Sequence, residues 1–415
     1  MITFCEKHKD KMRKKPQRKL HGNYTFTFYE SMIEVDKTAW NEVLLNTNFF
    51  LDTTYLQVIE NLHKPQIAHR YAIVYQNKKP VFVCCFQVID FTADVFGGLV
   101  ESQITDLTSS RLKLFDKYID KYKDHVVMRL VTCGNNFVSG EHCFAYLQKI
   151  KRADAFFILD KISNVVSKEE KLRGTISATL IKDFYTNHLP KEKVLEENKF
   201  IEFTVEPNMV IEIPENIGDL NDYIALYSKK YRNRAKNIFK DGVQISKKSL
   251  SIEEIKTHQK QLYKLYENVF MHAKFKLVKL AEDYFYEMKK NFSDMFFVTG
   301  YFLDNKLVGF DSGYYLPDND TIEAHYIGVD YEINKEHELY QNILYHFIEL
   351  AITHKKKHLN LGRTASEIKS TVGAKAHQLV CYIKPQNTVS KVVLNPFISF
   401  LQPAAWIPRN PFKED

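Results

Sequence analysis

The sequence has few of the features that mark membrane, secreted or metal-binding proteins. No apolar run approaches the ~18 residues that a membrane-spanning helix requires. The basic N-terminus lacks the apolar stretch of a secretory signal, so we expect the protein to stay in the cytoplasm. The six cysteines show no paired metal-ligand spacing, which predicts no metal site and suits a reducing compartment.

Proline and glycine are also sparse, with 12 and 14 in 415 residues, so long low-complexity linkers are excluded. What the chain does have is 45% hydrophobic residues, enough to bury a substantial core. At this length we predict two domains.

Positive charge is concentrated at the N-terminus. Residues 1–20 contain eight Lys or Arg and two acidic residues, so they carry +6 of the chain's net +7. The rest of the chain is therefore nearly neutral, which argues against a dedicated nucleic-acid binder. We interpret residues 1–22 as a disordered basic tail. The alternative is a peripheral contact with anionic lipid or RNA.

The C-terminal half has the clearest pattern of elements. Aromatic and β-branched runs separated by turn residues predict strands, and apolar residues at helical spacing predict a helix. The predicted elements are a hairpin (296–302 and 307–310), a third strand (321–329), a helix (339–351) and a short strand (358–362).

The N-terminal half repeats a similar order of helix, hairpin, strand and further helices, without sequence repetition. We therefore predict an α/β protein with layered mixed sheets flanked by helices. The predicted units are an N-terminal domain (23–215), a C-terminal domain (216–390) and a C-terminal extension (391–415).

Four segments carry a family resemblance. They are Ser228–Arg234, Gly309–Ser312, His325–Val329 and above all Leu361–Ala374, which reads Leu-Gly-Arg-Thr-Ala-Ser-Glu-Ile-Lys-Ser-Thr-Val-Gly-Ala. With the order of elements from 243 to 384, they resemble the GNAT acyltransferases, in particular the predicted N-acyltransferases related to the FemAB peptidoglycan-bridge enzymes. The resemblance implies two GNAT-like (acyl-CoA N-acyltransferase) domains in tandem and the transfer of an acyl group to an amine.

The resemblance also implies where the donor binds. In GNAT enzymes the third strand and the next strand splay apart, and the acyl-pantetheine arm lies in the gap. Here the arm would follow the backbone of Ile327, Gly328 and Val329, and the pyrophosphate would meet Asn334 and Lys335 where the helix opens. That loop reads Asn-Lys-Glu-His-Glu and departs from the glycine-containing family pattern. Acyl-CoA, an acyl carrier protein and an aminoacyl-tRNA stay open as donors, and no tightly bound cofactor is expected.

Acyl transfer to an amine needs a base and groups that stabilise an oxyanion. Glu323 and His325 share one face of the third strand, so one of them can act as the base; the alternative is a solvated glutamate with a hydrogen-bonded histidine. Asp311 interrupts an apolar strand and is a candidate for binding the substrate amine, or for a structural ion pair. Tyr314, on the same strand, is a candidate substrate contact. Tyr382, on the last strand, is a candidate proton donor to the leaving thiolate.

Two basic segments complete the candidate site. Arg363, Thr364 and Lys369 belong to a dense polar cluster after a strand, where Arg363 could clamp a phosphate or carboxylate and Thr364 could instead cap a helix. Arg232 and Arg234 lie in a helix predicted over 220–240, whose second half carries six basic residues and suits a phosphate-bearing donor or acceptor.

Three functions remain open. The first, which we favour, is acyl transfer from a thioester carrier to a small-molecule, peptide or lipid amine. The second is an aminoacyl-tRNA-dependent transferase that extends a cell-wall peptide. The nearly neutral body disfavours it, unless the basic helix and the N-terminal tail supply the RNA contact. The third is a GNAT-like pair that binds a ligand without turnover.

Overall fold

The strands of the protein join into one continuous sheet that runs through both halves of the chain. The computed structural model describes residues 15–45, 47–92, 126–272, 278–316, 320–387, 394, 398 and 402–413. Fourteen strands are found in these residues, with β6 attached to β4 at the side. The order of the other strands across the sheet is β1-β2-β3-β4-β5-β7-β14-β8-β13-β12-β11-β10-β9. The predicted α/β class, with a mixed sheet flanked by helices, is confirmed.

The described elements of the first half are β1 (Arg18–His21), β2 (Tyr24–Tyr29), α1 (Lys37–Leu44), α2 (Thr53–His63), β3 (Ile67–Gln76), β4 (Lys79–Thr92), β5 (Val126–Cys133), β6 (Phe144–Tyr146), α3 (Arg152–Lys171), β7 (Ala178–Tyr185), α4 (Val194–Glu197) and β8 (Ile201–Glu212).

The described elements of the second half are α5 (Leu220–Ala225), α6 (Lys229–Asp241), β9 (Ser246–Ser249), α7 (Ile252–Thr257), α8 (Gln259–His272), α9 (Tyr284–Asn291), β10 (Phe296–Leu303), β11 (Lys306–Leu316), β12 (Thr321–Val329), α10 (Tyr331–His337), α11 (Leu339–Thr353), β13 (His358–Asn360), α12 (Ser366–Ser370) and β14 (Lys375–Pro385).

The two halves exchange strands at their junction. β14 comes last in the chain, yet it pairs antiparallel with β7 on one side and β8 on the other, both from the first half. β8 in turn pairs with β13 of the second half. The boundary near residue 215 therefore divides the sequence but does not divide the sheet.

Helices cover both faces of the sheet. One core spans both halves and packs α1, α2 and α7–α9 on one face. On the opposite face, α3 and α4 cover the first half, while α5, α6 and α11 cover the second. The shared core joins the halves through aromatic contacts such as Phe49 with Phe292 and Tyr314, at ring-centroid distances of 5.2 and 5.1 Å.

The sheet edges carry the charge that discourages pairing with another chain. β1 reads Arg-Lys-Leu-His and β9 reads Ser-Lys-Lys-Ser, with most of their side chains exposed. β1 lies inside the predicted disordered tail, so the prediction of disorder is wrong for residues 18–21. None of the described helices is long and apolar enough to cross a membrane.

Candidate functional site

The central feature of the second half is the region where β12 and β13 stop pairing, which we call the gap. The two strands pair in parallel only over Thr321–Glu323 and His358–Asn360. Beyond Asn360 the chain turns to β8, where the backbone N–H of Leu361 donates to the carbonyl oxygen of Met209 at 2.8 Å. β12 continues to Val329 along β11. The strands therefore part immediately after Glu323, as the resemblance implied.

Strand alternation shows which backbone groups of β12 point into the gap. The N–H of Asp330 donates to the carbonyl of Val308 at 2.9 Å, and the backbone of Tyr326 bonds to the Ser312 hydroxyl, so these two residues face β11. Ile327 has the opposite orientation in the strand alternation, so its N–H and C=O point away from β11 and into the gap. Val329 does the same, although its carbonyl accepts from the Asn268 amide at 3.2 Å.

Gly328 has a different role from the predicted one. Its backbone faces β11, and a Cβ there would lie 2.3 Å from a ring carbon of Phe310 and 2.7 Å from the backbone of Leu265 on α8. Glycine is therefore needed for the packing of α8 on β12, not for the approach of a ligand.

Glu323 is buried where the gap begins. The Asn360 amide nitrogen lies 2.9 and 3.0 Å from its two carboxylate oxygens. The Gly362 N–H fixes that amide by donating to the Asn360 Oδ1 at 2.9 Å. Burial raises the pKa of Glu323 to about 8, and the hydrogen bond from Asn360 opposes this only in part. The carboxyl group can therefore both take and return a proton near neutral pH.

His325 lies on the same side of the sheet but is a weaker candidate for the base. Its Nε2 is 2.7 Å from the Tyr284 hydroxyl, and burial lowers its pKa to about 3. The imidazole is thus neutral, and its ring packs 5.2 Å from that of Tyr314. Tyr314 is buried and pairs with Glu323 across the ladder, so the structure brings together three predicted residues, Glu323, His325 and Tyr314.

The first half supplies a polar wall next to the gap. The Ser139 hydroxyl donates to the Asn208 Oδ1 at 2.7 Å, and the Asn208 amide donates to the Tyr185 hydroxyl at 2.8 Å. A Cβ on Gly362 would lie 3.9 Å from the Ser139 hydroxyl, so this wall adjoins the turn after β13. The charge of Glu323 helps to raise the pKa of Tyr185, after the larger effect of burial. The gap is therefore bounded by residues of both halves.

The geometry can be compared with solved structures. FemX matches with a TM-score of 0.51 and 9% identity over 90% of this chain and 100% of that chain. A tandem GNAT protein from the clavulanic acid biosynthesis pathway, solved without acetyl-CoA, matches with a TM-score of 0.50 and 8% identity over 87% and 99%. No family model matches the sequence. The search of curated proteins gave no match.

This chain has a tandem GNAT fold. At such low identity the likeness establishes the fold alone, and the residues of the site must carry any conclusion about chemistry.

The motif at Leu361–Ala374 forms a rigid turn of this GNAT fold. Lys369 is buried, and its ammonium donates to the carbonyls of Leu361 at 2.7 Å and Arg363 at 2.6 Å. Burial lowers the pKa of Lys369 to about 7, with Glu206 opposing. Thr364 has a φ of +67°, a strained value for a β-branched residue, and the lysine bonds help to hold it.

Arg363 does not offer a free charge for a phosphate. Its guanidinium donates to the Asp183 carboxylate at 2.8 Å, and Lys182 lies 2.7 Å from the other oxygen of that carboxylate. Burial alone would raise the pKa of Asp183, but Arg363 and Lys182 outweigh it and hold the pKa below its ordinary value. This cluster joins β7 of the first half to the turn after β13, so its role is to hold the two halves together.

Two predicted catalytic residues lie elsewhere. Asp311 is buried against α11, where it accepts from the Tyr301 hydroxyl at 2.6 Å and lies 2.8 Å from His346 Nδ1, on the sheet face opposite to Glu323. Tyr382 donates to Glu202 at 2.6 Å. It is seven residues along β14 from Lys375, which is level with Asn360, so roughly 20 Å of strand separates it from Glu323. The structure therefore does not place either residue with Glu323, His325 and Tyr314, and their catalytic roles stay predictions.

The predicted pyrophosphate loop is a helix. Asn334 and Lys335 lie in α10. Glu338, with a left-handed φ of +49°, ends this helix and turns the chain before α11 begins. The Asn334 side chain accepts from the Tyr340 N–H at 2.7 Å, which occupies a donor at the start of α11. Lys335 is exposed and pairs with Glu332 at 2.9 Å. The N–H of Tyr340 is therefore not free to bind a phosphate.

The basic helix differs from the prediction in its bounds. Residues 220–240 form two helices, α5 and α6, separated at Leu226–Ser228. Arg232 donates to the carbonyl of Tyr227, and Arg234 to the side chain of Gln341 on α11 at 3.2 Å. Neither contact neutralises the arginine charge, and Arg234 lies next to the start of α11.

Sequence reasoning missed Asn360, Tyr284 and the first-half residues of the wall. Asn360 could have been found, because an amide inside the apolar run His-Leu-Asn-Leu-Gly must have a partner when buried. No comparable signal marked Tyr284 among 24 tyrosines. Among the described residues, no group of three His, Cys, Asp or Glu side chains could hold a metal ion.

Proposed function

We propose that the protein is an N-acyltransferase that moves an acyl group from a thioester carrier to a primary amine, with Glu323 as the base. The observation that supports this most strongly is the parting of β12 and β13 directly after Glu323. An extended pantetheine arm would lie in the gap, pair with the backbone of Ile327 and place its thioester beside the carboxyl group.

The reaction balances with Glu323 alone. The amine nitrogen attacks the thioester carbonyl, and ionised Glu323 takes the proton that the nitrogen loses. When the C–S bond breaks, Glu323 returns the proton to the thiolate, giving an amide and a thiol. The pKa of Glu323, about 8, lies close to that of a thiol. The carboxyl group is therefore suited both to take the proton and to return it to the thiolate.

The donor site can be tested with a proline substitution. Ile327→Pro removes the N–H that faces the gap, whereas Ile327→Ala removes side-chain atoms and keeps the N–H. Isothermal titration with an acyl-phosphopantetheine should show about tenfold weaker binding for the proline variant and little change for the alanine variant. Equal affinity of the proline variant and the wild-type protein, both with native circular dichroism, would overturn the donor site.

Turnover is measured separately by thiol release with a panel of amino acids, polyamines and amino alcohols. Wild-type protein should release thiol with at least one class of amine, with an amide product detected by mass spectrometry. Binding of the arm without release for any amine would favour the alternative of a non-catalytic GNAT pair.

A further inference from the structure

The surface of α6 carries an unusual excess of unneutralised charge. Six of its thirteen residues are Lys or Arg and only Asp241 is acidic. Within the described part of the chain, none of these six cations is in an ion pair. Nearby lysines do have partners, for example Lys247 with Glu349 and Lys248 with Glu254. The basic residues of α6 are Lys229, Lys230, Arg232, Arg234, Lys236 and Lys240.

Helix electrostatics do not explain this charge. Cations are stabilised at the last turn of a helix and destabilised at the first. Lys240 is in the last turn, but Lys229 and Lys230 begin the helix, and Ser228 at the N-cap makes no side-chain hydrogen bond. Lys229, Lys236 and Lys240 follow one exposed stripe at helical spacing. The structure thus maintains a positive face at some cost in stability.

The last turn of α6 lies near the end of β12, where the gap opens. The carbonyl of Ile238 accepts from the Asn342 amide at 3.2 Å, and the carbonyl of Asp241 is 2.9 Å from His337 Nδ1. These contacts place the end of α6 at the junction of α10 and α11, which comes after the end of β12. A partner bound to α6 would therefore stand at the entrance that a donor arm must use.

The entrance favours a carrier arm with a single phosphodiester over a nucleotide with a pyrophosphate. Free coenzyme A would need unpaired N–H groups at the start of α11, and Asn334 already takes the N–H of Tyr340 there. An arm tethered to a protein has a single phosphodiester and obtains its remaining affinity from the protein surface. Its two amides can also pair with the edge of β12 as an added strand would, which the aminoacyl end of a tRNA cannot do.

We propose that the acyl donor is an acidic acyl carrier protein, which docks on the basic face of α6 and inserts its phosphopantetheine arm between β12 and β13. This inference rests on the proposed function, because it uses the same gap. Complementary charge would set both the orientation and the association rate of the carrier.

The test compares two triple variants by titration with acylated acyl carrier protein. Lys229→Gln/Lys236→Gln/Lys240→Gln neutralises the stripe on α6. Lys149→Gln/Lys168→Gln/Lys171→Gln neutralises three exposed lysines of the first half as a matched control. We expect the α6 variant to bind the carrier about tenfold more weakly and with less salt dependence, and the control to bind as the wild type does.

Four further probes separate the outcomes. Free acyl-phosphopantetheine should bind the α6 variant and wild type alike, apo-carrier without the arm should bind weakly, and acyl-CoA should bind less tightly than the acylated carrier. Unchanged carrier binding by the α6 variant, or tighter binding of acyl-CoA, would overturn the docking proposal while the gap still binds the arm. Binding of bulk tRNA that depends on α6, without binding of the carrier, would overturn it in favour of RNA. Failure of the arm itself to bind wild-type protein would instead overturn the proposed function.

Discussion

The two halves contain the same parallel strand pair, but only one pair opens. In the second half, β12 pairs with β13 over its first three residues and then runs free of it to Val329. In the first half, β5 pairs with β7 over its last four residues, from Leu130 to Cys133. A closed pair leaves no strand edge for a ligand. Of these two described pairs, the one in the second half opens, and residues of the first half lie beside it.

The difference between the two pairs arises from the chain segment directly after the second strand of each. After β13 the chain turns sharply through Gly362 and Thr364, both with positive φ, and Lys369 holds that turn. β7 instead continues as a strand to Tyr185, with an irregularity at Asp183, and Tyr185 contributes to the polar wall. The Leu361–Ala374 motif, which resembles the FemAB-related family, thus turns the chain away from β12 and keeps the gap open.

The largest expected effect comes from the base. Glu323→Gln should lower kcat for acyl transfer by about 100-fold or more, because Gln cannot accept the proton, while donor affinity stays near that of wild type. Thr132→Val is the matched change on the closed pair, since Thr132 is buried with no partner for its hydroxyl among the described residues. Steady-state kinetics should show wild-type kcat for this control. A fully active Glu323→Gln variant would refute the assignment.

The next effect is on pH dependence. With a pKa of about 8, Glu323 is roughly one-eleventh ionised at pH 7 and ten-elevenths at pH 9, so kcat should rise about tenfold between them. The folded state also holds a proton that the unfolded state releases above its ordinary pKa near 4.5. The unfolding free energy should therefore fall as pH rises from about 4.5 to 8, and Glu323→Gln should remove that fall. Urea titrations at pH 5 and pH 9 measure it.

The ion cluster between the halves gives a smaller effect, on stability. Arg363→Met leaves Asp183 with Lys182 as its one neighbouring cation and should lower the unfolding free energy by about 1–3 kcal/mol, with donor affinity unchanged. Urea denaturation and calorimetry measure the two quantities. Lost donor affinity at unchanged stability would restore Arg363 as a phosphate clamp.

Gly328→Ala tests whether Gly328 on β12 serves packing or ligand binding. The added methyl group meets Phe310 and the backbone of α8, so we expect a loss of about 1–3 kcal/mol in unfolding free energy. If Gly328 instead served the ligand, thermal denaturation would be unchanged and donor binding would fall.

Local sequence pattern was sufficient to predict part of the site. Strand periodicity placed Glu323, His325 and Ile327 on one strand, and the family resemblance predicted that this strand would part from the next. Long-range pairing decided the rest. Arg363 meets Asp183 across 180 positions of sequence, and Asp311 faces α11 because of how the sheet is covered. Neither partner can be inferred from spacing along the chain. Asn334 shows a third limit of prediction from sequence. Its side chain caps the next helix, but in the sequence it looks like a loop residue.

The most direct test of the open gap is amide hydrogen exchange measured residue by residue by NMR, with and without acyl-phosphopantetheine. An open gap predicts that the N–H of Ile327 exchanges more slowly when the arm is bound, while the amides of Val131 and Thr132 on β5 do not change. Unchanged exchange at Ile327 at saturating ligand, or slower exchange on β5 instead, would contradict it.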